Sequence, residues 1–367
     1  MDRREQAIRI WQAGVDAVGG YTATSKVLSD VSEPDQILAV GKPAAAMARA
    51  ALDHFGLLPT LVVTKDDHGR DLPDHVTVIE ASHPVPDERS LLGGRALRET
   101  VEAMDSDSHL LLLVSGGASS LAEDLLPGKS LEDLGRLNKK LLSEGLDITS
   151  MNTERRKLSR IKGGGLLSHF KGKKATVLAI SDVPGDDLNV IGSGIGALPA
   201  SVSFQAHTQI VASNAHAREA AVELARSEGL NVHTNEECLH DDFLNVAGTL
   251  GERIRNMPTG VMVFGGEPTV ILPENPGRGG RNQALALALA QEISGCDRIT
   301  IVVGGTDGTD GPTQAAGAVI DATTWGDGAE SALQNADSGS YLEGAGALLV
   351  TGPTGTNVMD LLVVIRS

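Results

Sequence analysis

Short aliphatic runs recur along the chain and alternate with segments whose apolar residues fall at helical spacing. The runs QILAVG (36–41), TLVVT (60–64), HVTVIE (75–80), HLLLLVSGG (109–117), ATVLAISD (175–182) and TQIVAS (208–213) read as strands. Between them PAAAMARAALDHF, a polar stretch over about 87–103, SLEDLGRLNKKLLSEG and the segment 214–228 read as helices. The third of these carries its own end signals, with Ser130 as N-cap, Asp133 at the capping-box position and Gly145 at the C-terminal end. Strand–helix alternation of this kind predicts an α/β fold with a Rossmann-like, doubly wound parallel sheet. A polar helix, HDDFLNVAGTLGERIRN, leads into a second strand-rich block made of GVMVFGGEPTVIL, RNQALALALAQEI and RITIVVGG. The expected division is a first domain over 1–240 and a smaller α/β domain over 241–367, with the last run NVMDLLVVI (357–365) compatible with either. The small-residue stretch 326–346 yields no element.

Composition narrows the picture. Hydrophobic residues make up 41% of the 367 and aromatics only 2%, so the cores must be aliphatic. That suits buried parallel strands and argues against stacking platforms for single-stranded nucleic acid. A net charge of −17 disfavours nucleic acid and anionic membranes as partners. In so acidic a chain, a cluster of basic residues is a candidate anion site. Cys238 and Cys296 form no CxxC pair, which fits a reducing compartment and excludes a disulfide framework or a cysteine zinc site. The N-terminal MDRREQAIRIWQAG reads as an amphipathic helix without a signal-peptide core, and no transmembrane run follows. A soluble, cytoplasmic protein is expected, and the one protein partner considered is a second copy, in a homodimer.

Ligands of doubly wound sheets bind beyond the carboxyl ends of the strands. Four strand ends here carry chemistry: Gly41-Lys42, Ser115-Gly116-Gly117, Ser181-Asp182 and Gly305-Thr306-Asp307. In VSGGASSLAE, Ser115, Gly116, Gly117, Ser119 and Ser120 occupy a strand-to-helix turn of the phosphate-binding kind, although a tight turn alone also explains the glycines. Lys42 stands where it opposes a helix dipole, and it either neutralises a phosphoryl group or is an exposed turn lysine. In NTERRKLSRIKGGG, five cations fall within eight positions, Arg155, Arg156, Lys157, Arg160 and Lys162, and on a helix Arg156, Arg160 and Gly163 share a face. Arg278 and Arg281 sit three apart at a helix start, poor for the helix and good for clamping carboxylate or phosphate. Asp182 and Asp307, with Asp310, Asp186, Asp187 and Asn189 in the adjoining loops, suit Mg²⁺ or a proton acceptor, and Asx turns explain some of them. His83, in ASHPVPDERS, either lines the cleft or packs a loop. No GxxxxGK[ST] loop is present. The stretch Gly192–Ala197 meets the loose GxGxxG/A pattern without the helix that should follow it.

Taken in order, AVGKPAAAMA, SHPVPDE, VSGGASSLAE, MNTERRKLSRIKGGGLL, AISDVPGDDLNVIGSG, GGEPTVIL, GRGGRNQALALALA, GGTDGTDGPTQAAGAVID and TGPTGTNVMDLLVVI resemble the glycerate 2-kinases of the MOFRL type. The resemblance spans nearly the whole chain. It implies a Rossmann-like domain and a MOFRL-type domain with the site in the cleft, and ATP- and Mg²⁺-dependent phosphorylation of D-glycerate to 2-phosphoglycerate. Carried over by motif, Lys42, Arg281 and Asp307 would be catalytic. Ser115, Gly116, Gly117, Ser119, Ser120, Lys162 and Gly163 would hold nucleotide phosphate. His83, Arg160, Arg278 and Glu267 would bind substrate, and Asp182, Asn189 and Asp310 the metal. The chain departs from the family pattern at Gly165, where a basic residue is frequent, and at Ala284, where glutamate is common. Two other readings remain: an NAD(P)H-dependent hydroxypyruvate reductase, a label given to proteins of this kind, and a non-catalytic metabolite-binding protein.

Overall fold

The computed structural model describes residues 2–143 and 153–367. The chain forms two compact units, one of Gly19–Ser213 and the other of Met1–Val18 with Asn214–Ser367. No helix among the described residues is long and apolar enough to cross a membrane.

The unit Gly19–Ser213 is built on β1 (Gln36–Val40), β2 (Thr60–Lys65), β3 (Thr77–Ala81), β4 (His109–Val114), β5 (Lys174–Ile180) and β6 (Gln205–Ala212). All neighbours pair in parallel, in the order β3-β2-β1-β4-β5-β6. The expected doubly wound sheet is therefore present, and its order reverses between β1 and β4. Central strands read as unbroken aliphatic runs because both faces are covered. Leu38, Val40, Leu110, Leu112, Val114 and Val177 join Leu97 and Val101 of the helix Glu88–Glu102 in one core. The helix Ala44–Phe55 packs on β1, β2 and β4. The helix expected from SLEDLGRLNKK spans Leu131–Ser143, and Ser130 and Asp133 form the reciprocal cap anticipated for it. Gly145 lies outside the described residues.

The other unit holds β7 (Val232–Glu237), β8 (Gly260–Gly266), β9 (Ile299–Gly305), β10 (Gly317–Asp321), β11 (Leu348–Leu349) and β12 (Asp360–Arg366). Their order is β11-β10-β9-β12-β8-β7. The strand left open in the sequence, β12, lies antiparallel between β8 and β9, so this sheet is mixed. Helices cover both faces, Phe243–Arg255 and Arg281–Glu292 on one and Arg3–Ala17 and Asn214–Ser227 on the other. The stretch 326–346 supplies two short helices, Ala329–Gln334 and Ser338–Gly344.

Two expectations need correction. The boundary near 240 falls instead at 213/214, because β7 pairs with β8 and the helix Asn214–Ser227 packs on β7 and β8. The N-terminal helix also belongs to this unit. Its apolar stripe of Ala7, Ile10, Trp11 and Val15 is buried against Val263, Val302 and Val363, and the Trp11 indole donates to the Leu361 carbonyl at 3.0 Å. In addition, strand character in GVMVFGGEPTVIL ends at Gly266. Pro268 and Pro273 bracket the remainder, and Ile271 is 87% exposed.

Candidate active site

The carboxyl ends of β1, β4 and β5 lie on one edge of the parallel sheet, at and beside the reversal point. Lys42, directly after β1, donates its amide to the Gly116 carbonyl at 2.9 Å. Gly117 has φ 84, the left-handed region that favours glycine, and a Cβ there would meet Lys42 Cγ at 3.1 Å and the His83 ring at 3.3 Å. Lysine stem, histidine ring and bare backbone thus converge on one spot. Beside it opens a cavity of about 170 Å³, lined by His83, Gly117, Ser119, Ser120, Leu134, Arg155 and Lys162. The two serines are tied from behind. Ser119 Oγ lies 2.7 Å from Ser193 Oγ, and Ser120 Oγ donates to the Gly117 carbonyl at 3.1 Å.

Several members of the predicted phosphate set have other work. Ser115 is fully buried and its hydroxyl donates to the Val40 carbonyl, joining the ends of β4 and β1. Gly116 offers its carbonyl to Lys42, and Gly163 donates its amide to Ser193. The helix after the turn is a single turn, Ala118–Leu121, so the expected macrodipole contribution is small. The groups that face the cavity are therefore cations and hydroxyls rather than the start of a long helix.

The basic run does not form the helix assumed for it. Residues 153–156 make one helical turn and the chain then bends to Gly164. Arg156 lies over Gly163 and donates to the Asn189 carbonyl. Arg160, expected at substrate, turns back toward Asp124 (3.6 Å) and Glu102 (3.9 Å), the two acids that also bind Arg98. Lys162 reaches the cavity wall but is paired at 2.5 Å with Glu123, the two side chains 1% and 0% exposed. Two participants were not singled out from the sequence. Arg155 was visible only as one cation of five. Burial lowers its pKa, while the Glu123 charge opposes that shift. Glu123, the last residue of VSGGASSLAE, had a signal in being the first of two acids, with Asp124, after a turn of small and apolar residues.

In the other unit, the ends of β8 and β9 and the start of β12 share an edge, with Asp360 in register with Gly266 and Gly305. Arg281, first residue of its helix, donates to Asp360 from Nε (2.7 Å) and Nη2 (3.2 Å), and its Nη1 lies 2.6 Å from Glu267. These acids hold the guanidinium charge more firmly than usual, against the cost of its burial. Asp307 follows β9, half-buried, and its Oδ1 accepts from the amide and hydroxyl of Thr309. Asp360 was missed, although an acid within an otherwise aliphatic strand was its signal. Arg278 lies apart from this edge, exposed and paired with Glu343.

Asp310, expected at a metal, caps a helix instead. It is 3% exposed and accepts from the amides of Asn282 (3.0 Å) and Gln283 (2.8 Å), satisfying the start of Arg281–Glu292. Burial, the largest influence, pushes its carboxyl from 3.8 up to about 6, although those amides favour the ionised form. Because the folded value is raised, the associated stability is present below about pH 4 and is lost as pH rises through 6. Relative to Asp310→Asn, the parent should lose on the order of 2–3 kcal/mol between those limits. Thermal midpoints of the two proteins across pH 4–7 check this, and parallel curves would refute it.

Asn189 bonds its neighbour Asp187 at 2.9 Å, and Asp182 follows β5 on the Lys42 edge. Among the described residues, no three histidine, cysteine or acidic side chains gather to hold a metal. The loose GxGxxG/A stretch runs through left-handed turns at Gly192 (φ 55), Ser193 (φ 58) and Gly194 (φ 79) and opens no long helix, unlike a dinucleotide fingerprint.

Residues 6–226 match a family described as a domain of unknown function (DUF4147), and residues 260–360 match the MOFRL family. The chain is 34% identical to the D-glycerate 2-kinase of Thermotoga maritima, over 98% of this chain and 97% of that relative. It is 33% identical to a protein of Agrobacterium vitis named putative hydroxypyruvate reductase, over 90% of this chain and 98% of the relative. The crystal structure of glycerate kinase from Thermotoga maritima superposes with a TM-score of 0.90 at 32% identity, covering 99% of both chains.

Proposed function

Because the chain belongs to the glycerate 2-kinase family of the MOFRL type, we propose that it transfers the γ-phosphoryl group of ATP to the 2-hydroxyl of D-glycerate, giving 2-phospho-D-glycerate and ADP. The observation that carries this reading is the cavity at the sheet reversal, where Arg155, Lys162, His83 and two serine hydroxyls gather beside Lys42. In an acidic protein, that concentration of cations suits a polyanionic ligand.

The substrate oxygen bonds to phosphorus as the bond from phosphorus to the β–γ bridging oxygen breaks, and ADP leaves. Such a transition state asks chiefly for position and for charge stabilisation. Lys42 and Arg281 are the proposed catalytic cations, each beside the strand ends of its own unit. Asp307 accepts the hydroxyl proton, and its Thr309 contacts fix the carboxylate's orientation. Ser119 and Ser120 orient phosphate oxygens, and Asp182, after β5, would contribute a carboxylate to a cation bound with the nucleotide. A magnesium ion bound with the nucleotide would screen the phosphate charge.

Incubation with D-glycerate, ATP and Mg²⁺ tests the reading, with product detected through enolase in the presence and absence of phosphoglycerate mutase. Signal without mutase identifies 2-phosphoglycerate, whereas signal only with mutase identifies the 3-isomer and overturns the regiochemistry. Oxidation of NADH or NADPH with hydroxypyruvate, and no kinase signal, would favour the reductase named among the relatives.

A further inference from the structure

Arg281 is held by a carboxylate whose own placement is unusually constrained. Asp360 is fully buried at the first position of β12. Its backbone is clamped from several sides. Asn214 Nδ2 donates at 3.0 Å to the carbonyls of both Val358 and Asp360. Thr306 donates to the Met359 carbonyl from its amide (3.0 Å) and its hydroxyl (2.6 Å). Met359 itself has φ 67, left-handed backbone that a bulky side chain rarely adopts, so the surroundings impose this conformation just before Asp360.

The carboxylate lies against a glycine. A Cβ on Gly305 would sit 3.3 Å from Asp360 Oδ1 and 3.4 Å from Asp307 Oδ1, so the bare backbone lets two acids approach one point. Asp360 grips the guanidinium side-on, through Nε and Nη2. That grip uses one Nη2 hydrogen and leaves Nη1 and the second Nη2 hydrogen, the end-on edge that matches a carboxylate or phosphoryl group, directed away from the buried acid. Glu267, which meets Nη1 there, is 43% exposed, whereas Asp360 is 1% exposed. Helix stability does not explain the arrangement. A cation at a helix start opposes the dipole, and Asp310 already caps that helix.

We propose that Asp360 is a positioning residue, which fixes the Arg281 guanidinium so that its end-on face meets the anionic group of the reacting substrates. This rests on the reading of Arg281 as a catalytic cation.

The test compares the parent with Asp360→Asn, Arg281→Lys and the double variant. Asparagine keeps the size of the side chain and removes its charge. The expected result is a kcat lower by about 10- to 100-fold, the usual loss when the partner orienting a functional side chain is removed, with KM little changed and the thermal midpoint near the parent's. Lysine keeps the charge but lacks the Nε–H that Asp360 grips. The double variant should therefore be no slower than the slower single one. Parental kcat in Asp360→Asn, or losses that multiply in the double variant, overturns the inference. If Asp360→Asn does not fold, Asp360→Glu replaces it: the charge returns on a longer arm, kcat should still fall, and parental kcat would again refute positioning. Arg281→Met separates the two levels. Parental turnover there removes Arg281 from the chemistry and the inference with it, whereas a slow Arg281→Met beside a fully active Asp360→Asn overturns the inference alone.

Discussion

Replacing Lys42 by methionine is expected to lower kcat by about 10²- to 10³-fold, the usual loss when one preorganised charge or donor is removed from a developing anion. Its location makes this the most exposed point of the mechanism. The residue stands at the carboxyl end of β1, where the sheet order reverses, and its stem lies against Gly117 next to the His83 ring. The main-chain anchor, from the Lys42 amide to the Gly116 carbonyl, survives any substitution that keeps an N–H. Methionine retains most of the stem's packing, so the thermal midpoint should stay within a few degrees. Steady-state kinetics and a melting curve on the same preparation check both halves. Turnover near the parental value would remove Lys42 from the chemistry. Arginine should not rescue the variant, because its planar fork cannot occupy the place of a compact ammonium.

The largest expected loss of stability comes from a residue on the same cavity. Lys162→Met leaves Glu123, 0% exposed, without its direct ion-pair partner, and breaking one side of a buried ion pair costs about 3–5 kcal/mol. Adding Glu123→Gln removes the stranded charge and should recover most of that loss, because the two residues are directly coupled. Denaturant unfolding of the parent, the single variant and the double variant measures it. A single variant as stable as the parent, or a double variant no better than the single, would show that the pair does not carry this energy. The same series divides the two roles of Lys162. Stability returning while turnover stays low assigns the ammonium to ligand binding as well as to its pairing with Glu123.

How much of this was legible beforehand follows from the range of the interactions. The parallel sheet could be read because each of its strands declares itself locally, by an aliphatic run bounded by glycine and polar residues. The glycine, lysine and hydroxyl signals at the ends of β1 and β4 were likewise local. The topology then placed those ends side by side at the reversal point, where a ligand was anticipated. The side-chain partners were not legible, because an ion pair depends on where a turn sends its residues. Arg160 and Lys162 stand two apart in one basic run, yet one joins Asp124 and Glu102 near the helix Glu88–Glu102 and the other is buried on Glu123. On a helix Arg156, Arg160 and Gly163 share a face, but the bend after residue 156 sends Arg160 to Asp124 and Glu102 while Arg156 still lies over Gly163. Asp310 resembled a metal ligand by composition and became a helix cap, because its loop folds over the amides of Asn282 and Gln283.

By itself, the sequence determined the α/β class, the alternation of strands and helices of a parallel sheet up to β6, and the segments that carry glycines and charges, since each depends on hydrophobic period and turn chemistry within a few residues. Only the tertiary structure decided that the N-terminal helix joins the second unit, that β12 lies between β8 and β9, and that Asp360 grips Arg281. Those outcomes depend on contacts between residues far apart in the chain. Burying the Trp11 stripe and pairing an enclosed carboxylate are satisfied by the packed whole, and no local window of sequence contains both partners.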